Sequence, residues 1–182
     1  DAEVERGSPL AVLAHFSEGS PRKATLVITP RDGEVRRLTL VKNLEDPIYG
    51  ATLPSVDGPF TYLVEYDVSQ SEVFSVNVFE YPELERADAT LTYPAYTGIP
   101  GRTVEDTRRL SVVEGTRLAY QFHLNKPVAA ARLVGENNES VELDAHPEQP
   151  LVELPPLVLT KTRKWKLELV DAAGRTNKIS PR

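Results

Sequence analysis

The sequence predicts an all-β protein of two consecutive β-sandwich domains, and three observations carry that prediction. No window of about 11 residues keeps the i, i+3, i+4, i+7 apolar spacing of an amphipathic helix. Short alternating or apolar runs recur instead, separated by Gly, Pro, Asn and Asp. The pattern also restarts near the midpoint, and 182 residues suit two domains of ordinary size.

The first half divides into strands in order. A short leader near Ala2–Glu5 precedes Leu10–Phe16, Ala24–Ile28, Val35–Val41 and Ile48–Leu53. Phe60–Tyr66 and Val73–Phe79 complete the set. Arg31-Asp32-Gly33-Glu34 is a hairpin signal, because Asp-Gly tolerates the positive φ of tight turns. Asp57-Gly58-Pro59 is a second break. About seven strands is the number expected of an immunoglobulin-like or fibronectin-III-like sandwich.

The second half repeats the plan. Its expected strands are Ala89–Tyr93, Leu110–Val113, Arg117–Leu124, Val128–Val134, Ser140–Leu143, Leu151–Leu154, Lys164–Val170 and Thr176–Ser180. The turns include Glu114-Gly115-Thr116, Asn125-Lys126-Pro127, Glu136-Asn137-Asn138 and Ala172-Ala173-Gly174. Pro127 suits a sharp stop, since proline fixes φ and cannot donate to a ladder. The Tyr81-Pro82-Glu83 break sets the expected domains at 1–82 and 83–182, joined by a short connection.

Composition narrows the chemistry. Hydrophobic residues at 40% and charged residues at 26% suit a folded globular chain. No apolar run approaches the ~20 residues that span a bilayer, and the acidic start, Asp1-Ala2-Glu3-Val4-Glu5, is no signal peptide. With no Met, the chain is expected to be a processed product or an excised segment of something longer. The absence of Cys removes disulfides, thiolate metal sites and Cys nucleophiles together. Residues 1–82 hold 7 Lys+Arg against 13 Asp+Glu, whereas residues 83–182 hold 14 of each. An acidic first half argues against nucleic acid or an anionic membrane surface there.

Candidate sites are sparse. His15, His123 and His146 are far apart, while zinc needs three or four convergent ligands. Gly19-Ser20-Pro21 is a loop and not a nucleophile elbow. The acidic residues mostly fall at turns or on the polar phase of strands, which favours solvated faces over a catalytic pair. Glu45-Asp46, Asp57 and Glu105-Asp106 lack the dense spacing of a calcium loop. Gly98, Gly101 and Gly115 precede no helix and so form no phosphate loop. Lys161, Arg163, Lys164 and Lys166 form a basic cluster; Lys164 and Lys166 are read as the wet face of a strand whose Trp165 packs inward. Tyr93, Tyr96 and Trp165 are the candidate interface or ligand platform. Packing at the domain junction is favoured for the two tyrosines over stacking on sugar rings.

Several segments together resemble a known group. They are Ser71–Pro82, Leu91-Thr92-Tyr93-Pro94-Ala95-Tyr96-Thr97-Gly98-Ile99-Pro100, Val112–Thr116, Asn125-Lys126-Pro127 and Val170–Asn177. They are similar to the tandem immunoglobulin-like segment of large uncharacterised bacterial membrane proteins, common in Planctomycetes and grouped under a domain-of-unknown-function label. The resemblance implies an extracytoplasmic location, periplasmic or on the cell surface, in a protein with transmembrane helices elsewhere. It implies no catalytic residues. The expectation is therefore a non-catalytic spacer and protein-interaction segment without a cofactor. Its partners are expected to be other parts of the parent chain or an envelope protein, with no nucleic acid and with membrane contact only through outside segments. The alternative is a glycan-binding module attached to an envelope enzyme.

Overall fold

A computed structural model describes residues 1–17, 19–42, 48–137 and 139–178. Among them there is no α-helix, only strands and one 3₁₀ turn at Ala95–Thr97. The chain divides into two compact units, Asp1–Glu80 and Tyr81–Arg182. Each unit pairs two sheets across its own core, an arrangement compatible with a β-sandwich.

The first unit contains β1 (Ala2–Glu5), β2 (Leu10–His15), β3 (Ala24–Pro30), β4 (Arg36–Thr39) and β5 (Val41–Lys42). It continues with β6 (Ile48–Leu53), β7 (Phe60–Tyr66), β8 (Ser69–Gln70) and β9 (Phe74–Phe79). One sheet runs β1-β9-β7-β3-β4, with β8 paired to β7, and the other runs β2-β6-β5. β1 lies parallel to β9; the remaining pairs are antiparallel. Val12, Tyr49 and Leu53 from the smaller sheet meet Leu26, Ile28, Val64 and Val76 from the larger in one continuous core. Burial of these side chains is the main driving term. The Tyr49 hydroxyl is satisfied inside that core by donating to the Pro21 carbonyl at 2.7 Å.

The Asp32-Gly33 hairpin joins β3 to β4, with Gly33 at φ 141°. The expected strand Val35–Val41 is instead two strands in two sheets. Leu40 is buried at the crossing, and its N–H donates to the Ala24 carbonyl at 2.9 Å. A buried side chain there carries the chain across the core, and Val41 then pairs with β6.

The second unit contains β10 (Leu84–Thr92), β11 (Arg102–Val104), β12 (Arg117–Leu124), β13 (Ala130–Gly135) and β14 (Ser140–Glu142). It ends with β15 (Asp144–Ala145), β16 (Leu151–Val158) and β17 (Trp165–Val170). Its sheets run β11-β10-β12-β16-β15 and β14-β13-β17, all antiparallel. Asn125 ties the start of this unit down. Its Nδ2 donates to the Tyr81 carbonyl at 2.9 Å, and its Oδ1 accepts the Glu83 N–H at 2.8 Å. Pro82 is fully buried between them.

Several strands depart from the expectation, among them the short β8 and β15, which were not foreseen. β10 starts five residues before Ala89, and β11 was not foreseen. Leu110–Val113 forms no strand; Leu110 and Val112 are half-buried in a loop that packs on Leu91 and Leu118. β16 continues past Leu154 through Pro155 and Pro156. Tyr120 opposes Leu154 while Leu118 opposes Leu157, so the prolines sit in a bulge where no ladder N–H is required. Of the expected strand Thr176–Ser180, Thr176 bridges Val170, while residues 179–180 lie outside the described residues, as do Asn138 and Glu45-Asp46.

Candidate functional site

The Tyr93–Pro100 stretch is a capped turn. Pro94 accepts the Thr97 N–H at 3.0 Å and the Thr97 hydroxyl at 2.8 Å. Gly98 closes the turn at φ 63°, a left-handed conformation that penalises any Cβ. Tyr93 packs with Ala89, Leu91 and Leu118 of the second unit. Tyr96 is 80% exposed, and its hydroxyl donates to the Glu114 carbonyl at 3.2 Å. The next turn meets this one, because a Cβ on Gly115 would lie 3.2 Å from the Pro94 ring. The contacts described for both tyrosines are therefore with residues of their own unit.

Trp165 opens β17 and lies half-buried in the wall of a cleft of about 690 Å³ inside the second unit. The cleft exists because the five-stranded sheet is covered in two pieces. The three-stranded sheet covers Ala87, Phe122 and Leu154, while the loop 105–116 covers Ala89, Leu91 and Leu118. Tyr120 packs against both clusters. Leu118, Tyr120, Phe122, Leu157 and Leu159 form the apolar walls. Arg108, Arg109, Arg163 and Lys164 also line it. An adjoining hollow of about 400 Å³ shares Arg108, Leu110, Arg163 and Trp165 and adds Lys161 and Glu114.

The cationic wall is held in place from below. Asp106 has φ 44°, an uncommon conformation for a non-glycine residue. Its N–H donates to Asp88 Oδ1 at 3.0 Å. The Thr107 N–H donates to the Ala87 carbonyl at 2.7 Å, and the Thr107 carbonyl accepts the Tyr120 hydroxyl at 3.2 Å. Arg108 and Arg109 follow directly. The Asp106 N–H, with Arg86 at 2.9 Å and His123 at 3.0 Å, holds the Asp88 carboxyl below its usual range against the opposing effect of burial. Burial raises the pKa of Tyr120.

Arg163 stacks over Trp165 at 5.5 Å and reaches Glu139 at 3.6 Å. Lys164 reaches Glu136 at 3.5 Å. Arg108, Arg109 and Lys161 have no carboxylate within ion-pair distance among the described residues. Lys166, the other member of the basic run, is exposed in β17 and does not line the cleft. Lys164 does border it, with its side chain 75% exposed. Arg108 and Arg109 were missed because they lie more than 50 residues upstream in sequence; the only local signal is the Arg-Arg pair before Leu110.

The other polar motifs act as fasteners. Asp171, with its side chain 2% exposed, accepts Lys126 Nζ at 2.7 Å. It also accepts the N–H groups of Ala173 at 2.9 Å and Arg175 at 2.8 Å. Burial alone would raise the Asp171 pKa, but Lys126 and these donors outweigh it and hold the carboxyl low. Asn125-Lys126-Pro127 and the Asp171–Arg175 turn are thus two halves of one clamp. Asn177 continues it, accepting the Leu169 N–H at 2.8 Å and donating to the Leu167 carbonyl at 3.0 Å. His15 is exposed on β2, and His146 lies 3.4 Å from Glu153. Among the described residues no three His, Asp or Glu side chains converge as a metal-binding group.

The first unit has a smaller hollow of about 390 Å³ beside the Asp32-Gly33 turn, lined by Arg31, Asp32, Arg36, Ser55 and Asp57. The Ser55 hydroxyl already donates to Asp57 at 2.7 Å. No family model matches the sequence, and comparison with curated proteins gives no match.

Proposed function

We propose that this chain is a non-catalytic extracytoplasmic segment of a larger bacterial envelope protein, made of two consecutive immunoglobulin-like sandwiches that space and present contact surfaces. The observation that carries the reading is strand order. In the first unit, β2-β6-β5 faces β9-β7-β3-β4, as strands B-E-D face G-F-C-C′. In the second, β10-β12-β16-β15 faces β14-β13-β17, as A-B-E-D faces C′-C-F. The resemblance to Planctomycetes-type membrane proteins points the same way and supplies the location.

A contact role has its own support. Leu13 on β2 and Val41 on β5 both pair with Gly50 on β6. They are 70% and 72% exposed, so an apolar row crosses the outer face of the small sheet. Such rows suit another protein surface.

The location is testable because the chain has no Cys. Val68 is fully exposed, and Val68→Cys in the full-length parent gives a single reporter within this segment. A maleimide that crosses the outer envelope but not the inner membrane should label it in whole cells above the background of the unaltered parent. Labelling only after lysis contradicts the reading. The glycan-binding alternative is favoured by one observation, the exposed Tyr96 ring. Glycan-array binding lost in Tyr96→Ala would support that alternative.

A further inference from the structure

We propose that the cleft of the second unit binds a single-chain anionic amphiphile, such as a fatty acid, with its tail between the sheets and its head at the cationic wall. The inference does not depend on the spacer reading. Protein interiors contain few voids larger than a water molecule. The cleft of about 690 Å³ beside the two core clusters is not such a void, since it opens to solvent past the exposed Arg108, Arg109 and Lys164, and it offers room for a ligand. Its volume falls within the range of about 300–1,000 Å³ typical of small-molecule sites.

The walls specify the tail. Leu118, Phe122, Leu157 and Leu159 present hydrocarbon and aromatic surface, which favours an apolar chain over a sugar or nucleotide. The cations specify the head. Arg108 and Arg109 lie on the same lining as the Leu residues, carry no ion pair among the described residues, and follow a loop start held by three hydrogen bonds. A guanidinium offers planar, paired donors to a carboxylate or phosphate. A preformed apolar slot with cations in its lining fits a molecule that combines a hydrocarbon chain with an anionic group.

The test uses the whole 182-residue chain. Trp165, the single tryptophan, lines the cleft and reports occupancy by fluorescence. Dodecanoate and dodecyl phosphate, titrated below their micelle concentrations, should change that fluorescence saturably. Dodecyltrimethylammonium should bind about tenfold more weakly or worse, since it forfeits the charge-assisted bonds. The double variant R108E/R109E should weaken dodecanoate by a similar factor, while Arg117→Glu, on an outward position of β12, should leave it unchanged. The head-group series on the unaltered chain decides the matter even if the double variant does not fold. The proposal is overturned by no saturable change with either anion, by equal affinity for the cationic chain, or by a response confined to phosphatidylglycerol vesicles, which is surface adsorption. A response only to acidic peptides also overturns it, because the occupant is then a protein segment.

Discussion

The two units share a two-sheet plan but close it differently. In the first, both sheets contribute to one continuous core. In the second, a three-stranded sheet and a loop divide the cover of a five-stranded sheet, and the core falls into two clusters with a cleft beside them. Charge differs in parallel. Residues 1–80 hold 7 Lys+Arg against 13 Asp+Glu, and residues 81–182 hold 14 of each. The lesson is that a two-sheet plan can leave a cleft without a new element, by covering one face in two pieces.

The largest effect should come from cutting a closed core. Leu26→Ala removes a fully buried side chain of the first unit and should cost about 3 kcal/mol in urea unfolding. Leu157→Ala, half-buried in the cleft wall, should cost about 1 kcal/mol or less, since its neighbours on one side are already missing. Equal costs would break the comparison.

Next is the clamp of the second unit. Asp171→Ala removes the buried carboxylate that accepts two N–H groups and the Lys126 ammonium and should cost about 2–3 kcal/mol. Residue-resolved urea unfolding should show the loss in the second unit.

Acid sharpens the same point. Asp88, Glu153 and Asp171 all have lowered pKa values in the folded state. The unfolded chain therefore binds protons first. Their contribution is complete above the unfolded carboxylate pKa of about 4 and is lost as pH falls through the lower folded values. The second unit's urea midpoint should fall as pH drops below about 4, and Asp171→Asn should flatten that fall.

The smallest effects test the Tyr93–Pro100 turn. Gly98→Ala should cost about 1 kcal/mol, because its φ of 63° strains a Cβ even though the space is open. Tyr96→Ala should stay within about 0.5 kcal/mol, as an exposed ring with one long hydrogen bond. A larger loss at Tyr96 would mean that its ring is covered in solution.

Much of the strand content was legible because alternation is local. Phe60–Tyr66, Ile48–Leu53 and Arg117–Leu124 emerge where the pattern puts them, and Asp32-Gly33 turns as its chemistry requires. What was not legible depends on distant partners. Val35–Val41 has unbroken strand character, yet the far sheet draws Leu40 inward and breaks it. Leu110–Val113 has the composition of a strand, but it is used as loop cover. Pro155-Pro156 is tolerated in β16 only because a bulge opposes it. The cleft was half visible. Lys161, Arg163 and Lys164 form a run in the sequence, but only the fold brings Arg108 and Arg109 to the same wall.

The most direct test uses a matched pair. Ala24 in β3 and Ala87 in β10 are both 1% exposed, the first in the continuous core and the second in the cleft lining. Each is replaced by Leu, and unfolding in urea is followed by NMR cross-peaks from each unit. Ala24→Leu should cost about 1–3 kcal/mol through overpacking, whereas Ala87→Leu, equally buried but in the core cluster that the cleft borders, should cost less because its neighbours can give way toward the cleft. Equal destabilisation at both positions would contradict the account, for it would mean that the second core is as closed as the first.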